Sequence, residues 1–389
     1  MVEEYGNINK LTSPLGYNCK RPIEMKKRNK VYIDLLRIIA IFLVVVNHTD
    51  SYCFPDCRGW FDLPYWAQVL WNEVVKMAVP LFFMVSGALL LPREETLSAL
   101  FRKRVLRFAC VYALIVLVQY IYFCIENGYD LSVNVYISFL YDGVGLNSFF
   151  AIWFLCAYIG ILVMLPILRI MARGMNFVHY VYLIVIQVLC CALVPGLLLA
   201  TGRYNGYSFV NNWLPFQSAS ATLPFSYGYC VFYMLLGYFA EQYSNVIKER
   251  IGLSRLTWVA ILLLVLGALC MVAVAVIGGE PEVPQSVVFL SAFLPIPGIA
   301  VYSQAKHLFE NQPDECRCYR WISLLGAATF TVMLTENLFR INFDSWMDCL
   351  LAPVVGSWFA QFVLAILVTL SALALGLILK HIPGIRKLL

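Results

Sequence analysis

Five ionisable side chains stand where long apolar runs should exclude them: Asp34, Arg37 and His48 in one run, Lys76 in a second, Glu336 in a third. Charge inside hydrocarbon is costly, so such positions are functional candidates by default. Within VYIDLLRIIAIFLVVVNHTD, which begins at Val31, a helical turn of about 100° per residue returns Asp34, Arg37 and His48 to one stripe. The helical rise puts His48 about 16 Å beyond Arg37. Two chemistries fit that stripe. One is an interfacial ion pair, Asp34 with Arg37, plus a histidine that caps the far end. The other is a polar track in which Arg37 anchors an anion and His48 accepts a proton, a task suited to neutral imidazole near neutral pH.

The neighbouring runs add candidates of the same two kinds. AVPLFFMVSGALLLP, from Ala78, carries Pro80 and the pair Ser86-Gly87, which allow a kink and a close helix approach. FRKRVLRF, from Phe101, clusters Arg102, Lys103, Arg104 and Arg107. Such a cluster serves either as a topology signal or as a seat for a phosphate-rich ligand. Glu336 precedes Arg340 by one helical turn and is either an acid/base group or that arginine's structural partner. No metal is expected: Cys316 and Cys318 form a lone pair, and most other cysteines are scattered through apolar runs as small fillers. Cys53 and Cys57 flank Pro55 in a loop and can form a disulfide if that loop faces an oxidising compartment, although Cys349 leaves an odd count on the same side.

The elements that must position these groups follow from composition. Of 389 residues, 61% are hydrophobic and 13% charged, with mean hydropathy +0.76; soluble domains carry about 25% charged residues. The apolar residues lie in runs long enough to cross a bilayer rather than in heptads or triplets, which excludes coiled-coil, collagen-like and disordered chains. Ten runs qualify: 31–51, 66–91, 106–126, 149–168, 177–200, 226–243, 256–277, 286–305, 321–340 and 353–379, the eighth broken by Pro295 and Pro297. With the N-terminus in the cytoplasm, nearly all of the 28 Lys and Arg fall on the inner side, and the outer loops hold only Arg58, Arg203 and the borderline Arg340. The positive-inside rule then places both termini in the cytoplasm. The expected fold is an all-α polytopic membrane bundle of about ten transmembrane helices. It divides into a basic tail (1–30), an integral-membrane domain (31–380) and a short C-terminal tail (381–389). The first run lacks a small-residue cleavage site after its Asn-His-Thr-Asp end and is expected to stay as an anchor. A net charge of +5 arranged this way orients the protein in a membrane and does not point to nucleic acid.

IDLLRIIAIFLVVVNHT from Ile33, VPLFFMVSGALLL from Val79 and the basic FRKRVLRF together resemble acyltransferase family three, the bacterial integral-membrane O-acyltransferases. AIWFLCAYIGILVMLPIL from Ala151 and FYMLLGYFAE from Phe232 extend the likeness over residues 31–340, most closely to the short O-acetyltransferases of the enterobacterial-common-antigen type. The resemblance implies an inner-membrane enzyme that takes an acyl group, commonly acetyl, from acyl-CoA on the cytoplasmic side. Its acceptor would be a hydroxyl of an envelope glycan or lipid-linked sugar, with membrane lipids as neighbours and a homo-oligomer compatible with the family. The family's arginine and histidine fall on Arg37 and His48, its Ser-Gly on Ser86-Gly87 and its basic loop on Arg104 and Arg107. One departure is that relatives often carry histidine in the ninth span, where TVMLTENLF places Glu336.

Both lines lead to one expectation. Acyl transfer from a thioester needs a base for the attacking hydroxyl, donors for the oxyanion and cations for the donor's phosphates. His48, Arg37 and Glu336 are the expected catalytic residues; Arg37, Arg104, Arg107 and Ser86 are expected to hold acyl-CoA. Asn47 and Asp50 are near enough in sequence to orient the imidazole or the acceptor. The competing function is a transporter or flippase for a sugar-containing substrate. Many transporters are built from two similar halves, whereas here the motif residues concentrate in the first third of the chain.

Overall fold

The computed structural model describes residues 31–49, 63–142, 152–189, 228–278, 293–310 and 317–383. The described residues form helices and their connecting turns. In chain order these are α1 (Val31–His48), α2 (Leu63–Val75), α3 (Ala78–Leu90), α4 (Leu97–Leu100), α5 (Leu106–Asn127), α6 (Val133–Asp142), α7 (Ile152–Gly174) and α8 (Phe177–Val188). Then follow α9 (Gly228–Gln242), α10 (Ser244–Val246), α11 (Leu253–Gly278), α12 (Pro295–Glu310), α13 (Arg317–Trp346), α14 (Ala352–Val355) and α15 (Ser357–Leu379). Single π-helical turns join α4 to α5, α10 to α11 and α13 to α14.

Seven helical segments among the described residues are long and apolar enough to cross a membrane: Val31–His48, Tyr65–Leu90, Leu97–Ile125, Trp153–Gly174, Leu253–Ala273, Cys318–Val355 and Ser357–Leu379. Of the other three expected spans, parts appear as α8, α9 and α12, and the remainder lies outside the described residues. The polytopic helical bundle expected from composition is the fold. The eighth span is interrupted at its prolines as expected: Leu294 is a bend, and the helix starts anew at Pro295, so that Pro295 and Pro297 lie in the first turn of α12, where a missing N–H leaves no gap in the helical ladder. Pro80 also interrupts the second span, and the break falls at Lys76–Met77 between α2 and α3. A proline cannot bond the carbonyl four residues before it, and here that carbonyl belongs to Lys76.

α1 lies at the centre, packed against α3, α12, α13 and α15. Membrane helices gain little from apolar burial against one another and associate through close packing and polar contacts. α3 and α9 show this: a Cβ on Gly87 would lie 1.9 Å from the Met234 carbonyl oxygen, and one on Gly237 would lie 1.9 Å from that of Met84. Each glycine thus seats the other helix's backbone. Lipid-facing surface is equally plain on α11, where Trp258, Leu262, Leu266 and Leu269 are exposed at helical spacing.

Polar contacts fix which helix ends share a side. Tyr32 at the start of α1 and Tyr302 on α12 donate to Glu241 Oε2 at the end of α9, at 2.7 and 2.8 Å. Lys306 pairs with the same carboxylate at 3.1 Å. The start of the first span and the ends of the sixth and eighth therefore meet on one side, as alternating spans require.

Candidate active site

His48 ends α1, and its Nδ1 lies 2.5 Å from Oε1 of Glu336 on α13. Glu336 is 1% exposed, and its Oε2 has no hydrogen-bond partner among the described residues. The helix pair is brought close by Gly326, ten residues earlier on α13, whose missing Cβ leaves room for Asp34. With Nδ1–H donated to the carboxylate, the neutral imidazole keeps its lone pair on Nε2. That is the tautomer a general base needs, and a carboxylate so placed orients the ring and can balance an imidazolium.

Of the two sequence neighbours expected to orient the imidazole or the acceptor, neither is bonded to His48 among the described residues. Asn47 instead accepts from Lys76 Nζ at 2.7 Å, and Asp50 lies outside the described residues. The alternative that Glu336 pairs with Arg340 is also not realised, because Arg340 Nε donates to Asn337 Oδ1 at 3.1 Å. Each member of the dyad therefore has an adjacent asparagine that holds a cation. Lys76 and Arg340 both lie within electrostatic range of His48. Lys76 owes its place to the break at Pro80, which ends α2 one residue before it.

The other expected residues gather toward the opposite end of α1. Arg37 is a third exposed and pairs weakly with Asp34 at 3.3 Å. Ser86 is buried, its hydroxyl donating to the Phe82 carbonyl at 3.0 Å, and it shares a second hydrogen bond with Tyr158 of α7. Arg37, Arg104 and Arg107 all lie within electrostatic range of the Tyr158 hydroxyl. The Tyr158 ring packs 4.7 Å from Phe108, and the Arg107 guanidinium lies over that phenylalanine at 5.7 Å. Four residues singled out by type and spacing thus converge on one tyrosine that was not. Its only sequence signal was membership of the motif AIWFLCAYIG.

Carboxylates structure the basic end. Glu95, in the loop after α3, accepts from Arg104 Nε at 3.0 and 3.2 Å and from Arg169 at 2.8 Å. Arg173 pairs with Glu94 at 3.2 Å, and Arg169 also donates to the Leu90 carbonyl. Burial alone would raise the Glu95 carboxyl, but the hydrogen bonds from Arg169 and Arg104 outweigh it and hold it below the ordinary carboxylate range. Arg93 is lowered by its own burial, then by the proximity of Arg104. Counting Arg93, Arg104, Arg107, Arg169 and Arg173 against Glu94 and Glu95, the cluster keeps a surplus of positive charge.

The arrangement is an imidazole–carboxylate dyad toward one side of the bundle and a cationic, tyrosine-centred cluster on the other, joined by α1. Among the described residues no group of three His, Cys, Asp or Glu side chains is placed to hold a metal ion. No curated protein and no solved structure matches the chain. Residues 30–380 match the family model described as an acyltransferase domain, so the chain is a multi-pass membrane protein of acyltransferase family three.

Proposed function

We propose that this acyltransferase moves an acetyl group from acetyl-CoA, bound at the cytoplasmic end, to a hydroxyl of an envelope glycan or lipid-linked sugar in a bacterial inner membrane. The observation that carries the proposal is the spacing of two unlike sites along one helix. Arg37 and the arginines around Tyr158 suit the phosphates of a CoA donor. His48, about 16 Å further along α1, is within reach of an extended pantetheine arm. At the cluster the donor's phosphates meet Arg104 with Glu95 already beside it, so they must share or displace that carboxylate.

The chemistry then follows from the dyad. Nε2 of His48 takes the acceptor's hydroxyl proton as the oxygen attacks the thioester carbonyl. Glu336 balances the imidazolium, and the ammonium of Lys76, held by Asn47, supplies positive potential for the oxyanion. Collapse breaks the carbon–sulfur bond, and the imidazolium returns its proton to the departing thiolate. No net proton is consumed.

Donor binding tests the assignment. Purified protein in detergent should bind CoA, and Arg37→Ala and Arg104→Ala should each weaken that binding by roughly 10- to 150-fold, the cost of one charge-assisted phosphate contact. Unchanged affinity in both variants would leave the basic cluster as a topology signal alone.

A further inference from the structure

Arg340 is a half-buried guanidinium that pairs with no carboxylate among the described residues. It stands one turn beyond Glu336 on α13, about 6 Å further from the cytoplasmic end. The carboxylate best placed for it by sequence is turned to His48. Its only hydrogen bond among the described residues runs from Nε to Asn337 Oδ1 at 3.1 Å, and Asn337 is itself buried at 8% exposure. That bond fixes the plane of the guanidinium and leaves the two Nη groups without a hydrogen-bond partner among the described residues. One turn earlier on the same helix, Glu336 Oε2 is buried and also without a hydrogen-bond partner among the described residues. At the outer end of its span this charge has no counter-ion among the described residues, and a guanidinium fixed at Nε presents the fork that grips carboxylate or phosphate oxygens in pairs.

We propose that Arg340 is an acceptor-binding residue, its fork taking a carboxylate or phosphate that the acceptor glycan carries near the hydroxyl to be acylated. The substrate class is therefore an anionic sugar. Position separates this role from oxyanion stabilisation. The donor enters from the Arg37 end of α1, whereas Arg340 lies past the dyad on the opposite side, where the acceptor must stand. Lys76, fixed by Asn47 next to His48, adds to the positive potential that draws an anion to this side. The carboxylate nearest to Lys76 in sequence, Glu73, lies within electrostatic range of it and packs against Gly267 of α11, where an added Cβ would lie 2.9 Å from its Oε2.

The inference rests on the proposal that a glycan hydroxyl is the acceptor, so binding and transfer are measured separately on the full chain in detergent. Binding is compared for three oligosaccharides of equal length: one ending in a uronic acid, one in a sugar phosphate and one neutral. The parent should bind one or both anionic sugars at least ten-fold more tightly than the neutral one, and the stronger anionic arm identifies carboxylate or phosphate. Arg340→Gln should abolish that preference without changing neutral-sugar affinity, and Arg340→Lys, a point charge without the fork, should retain part of it. Equal binding of all three by the parent, or an unchanged preference in Arg340→Gln, overturns the inference. In transfer assays the expected signature is a raised KM for the anionic acceptor at unchanged kcat; a kcat loss common to all acceptors assigns Arg340 to the oxyanion instead and overturns it too. Absence of transfer from acetyl-CoA to any hydroxyl acceptor contradicts the proposed function, while the binding arms still decide the role of Arg340.

Discussion

His48 Nδ1 and Glu336 Oε1 lie 2.5 Å apart although 288 positions separate them in the chain. A histidine at the end of the first span and a glutamate on the ninth thus form one unit, and the unit fixes which imidazole nitrogen can act. Groups acting together lose their effects non-additively on mutation. Glu336→Gln should lower acyl transfer by about 10²–10⁴-fold, since the amide neither holds the charge nor enforces the tautomer. The double variant with His48→Gln should be little worse than His48→Gln alone. Independent, multiplicative losses in a double-mutant cycle would separate Glu336 from the base.

The Glu95 network gives a pH signature. A carboxyl depressed in the folded state contributes stability that is fully present above its unfolded value, about 4.3, and is lost as pH falls through the lower folded value. Thermal unfolding midpoints in detergent should therefore decline on acidification below about pH 4.3, and Glu95→Gln should flatten part of that decline while lowering stability at neutral pH. An acid limb identical in parent and variant would mean that Arg104 and Arg169 draw no stability from this contact.

Orientation can be read with thiols. Cys318, near the start of α13, and Cys349, in the π turn after it, are both exposed and fall on opposite sides of the ninth span. An impermeant maleimide applied to intact cells should label a variant retaining only Cys349 and spare one retaining only Cys318. Labelling of Cys318 would reverse the bundle in the membrane and put the basic cluster outside.

The fold was legible because hydrophobic runs and basic returns report membrane crossing directly, one segment at a time. Arg37, His48, Ser86 and Glu336 were legible for a related reason: polar groups in apolar runs are conspicuous wherever they end up. What they would touch was not. The partner of His48 depends on how α1 and α13 cross, and Gly326, which lets them approach, reads in sequence as one small residue among many. Asn47 looked like a partner for the imidazole through adjacency, but neighbours on a helix point about 100° apart, and it turns to Lys76. Tyr158 stayed hidden because a tyrosine in a membrane span is unremarkable until Arg37, Arg104 and Arg107 are found around it. Pro80 was recognised as a kink, yet its consequence, a break that presents Lys76, emerges only from the helix bounds.

The most direct measurement is transfer of labelled acetyl from acetyl-CoA to the native envelope acceptor by His48→Gln, at protein levels matched to the parent. Glutamine keeps much of the volume and a hydrogen bond to Glu336 but cannot accept a proton at neutral pH. The variant should insert, fold and bind CoA as the parent does, and lose transfer by about 10²–10⁴-fold. Near-parental transfer would contradict the dyad mechanism and remove His48 from the chemistry.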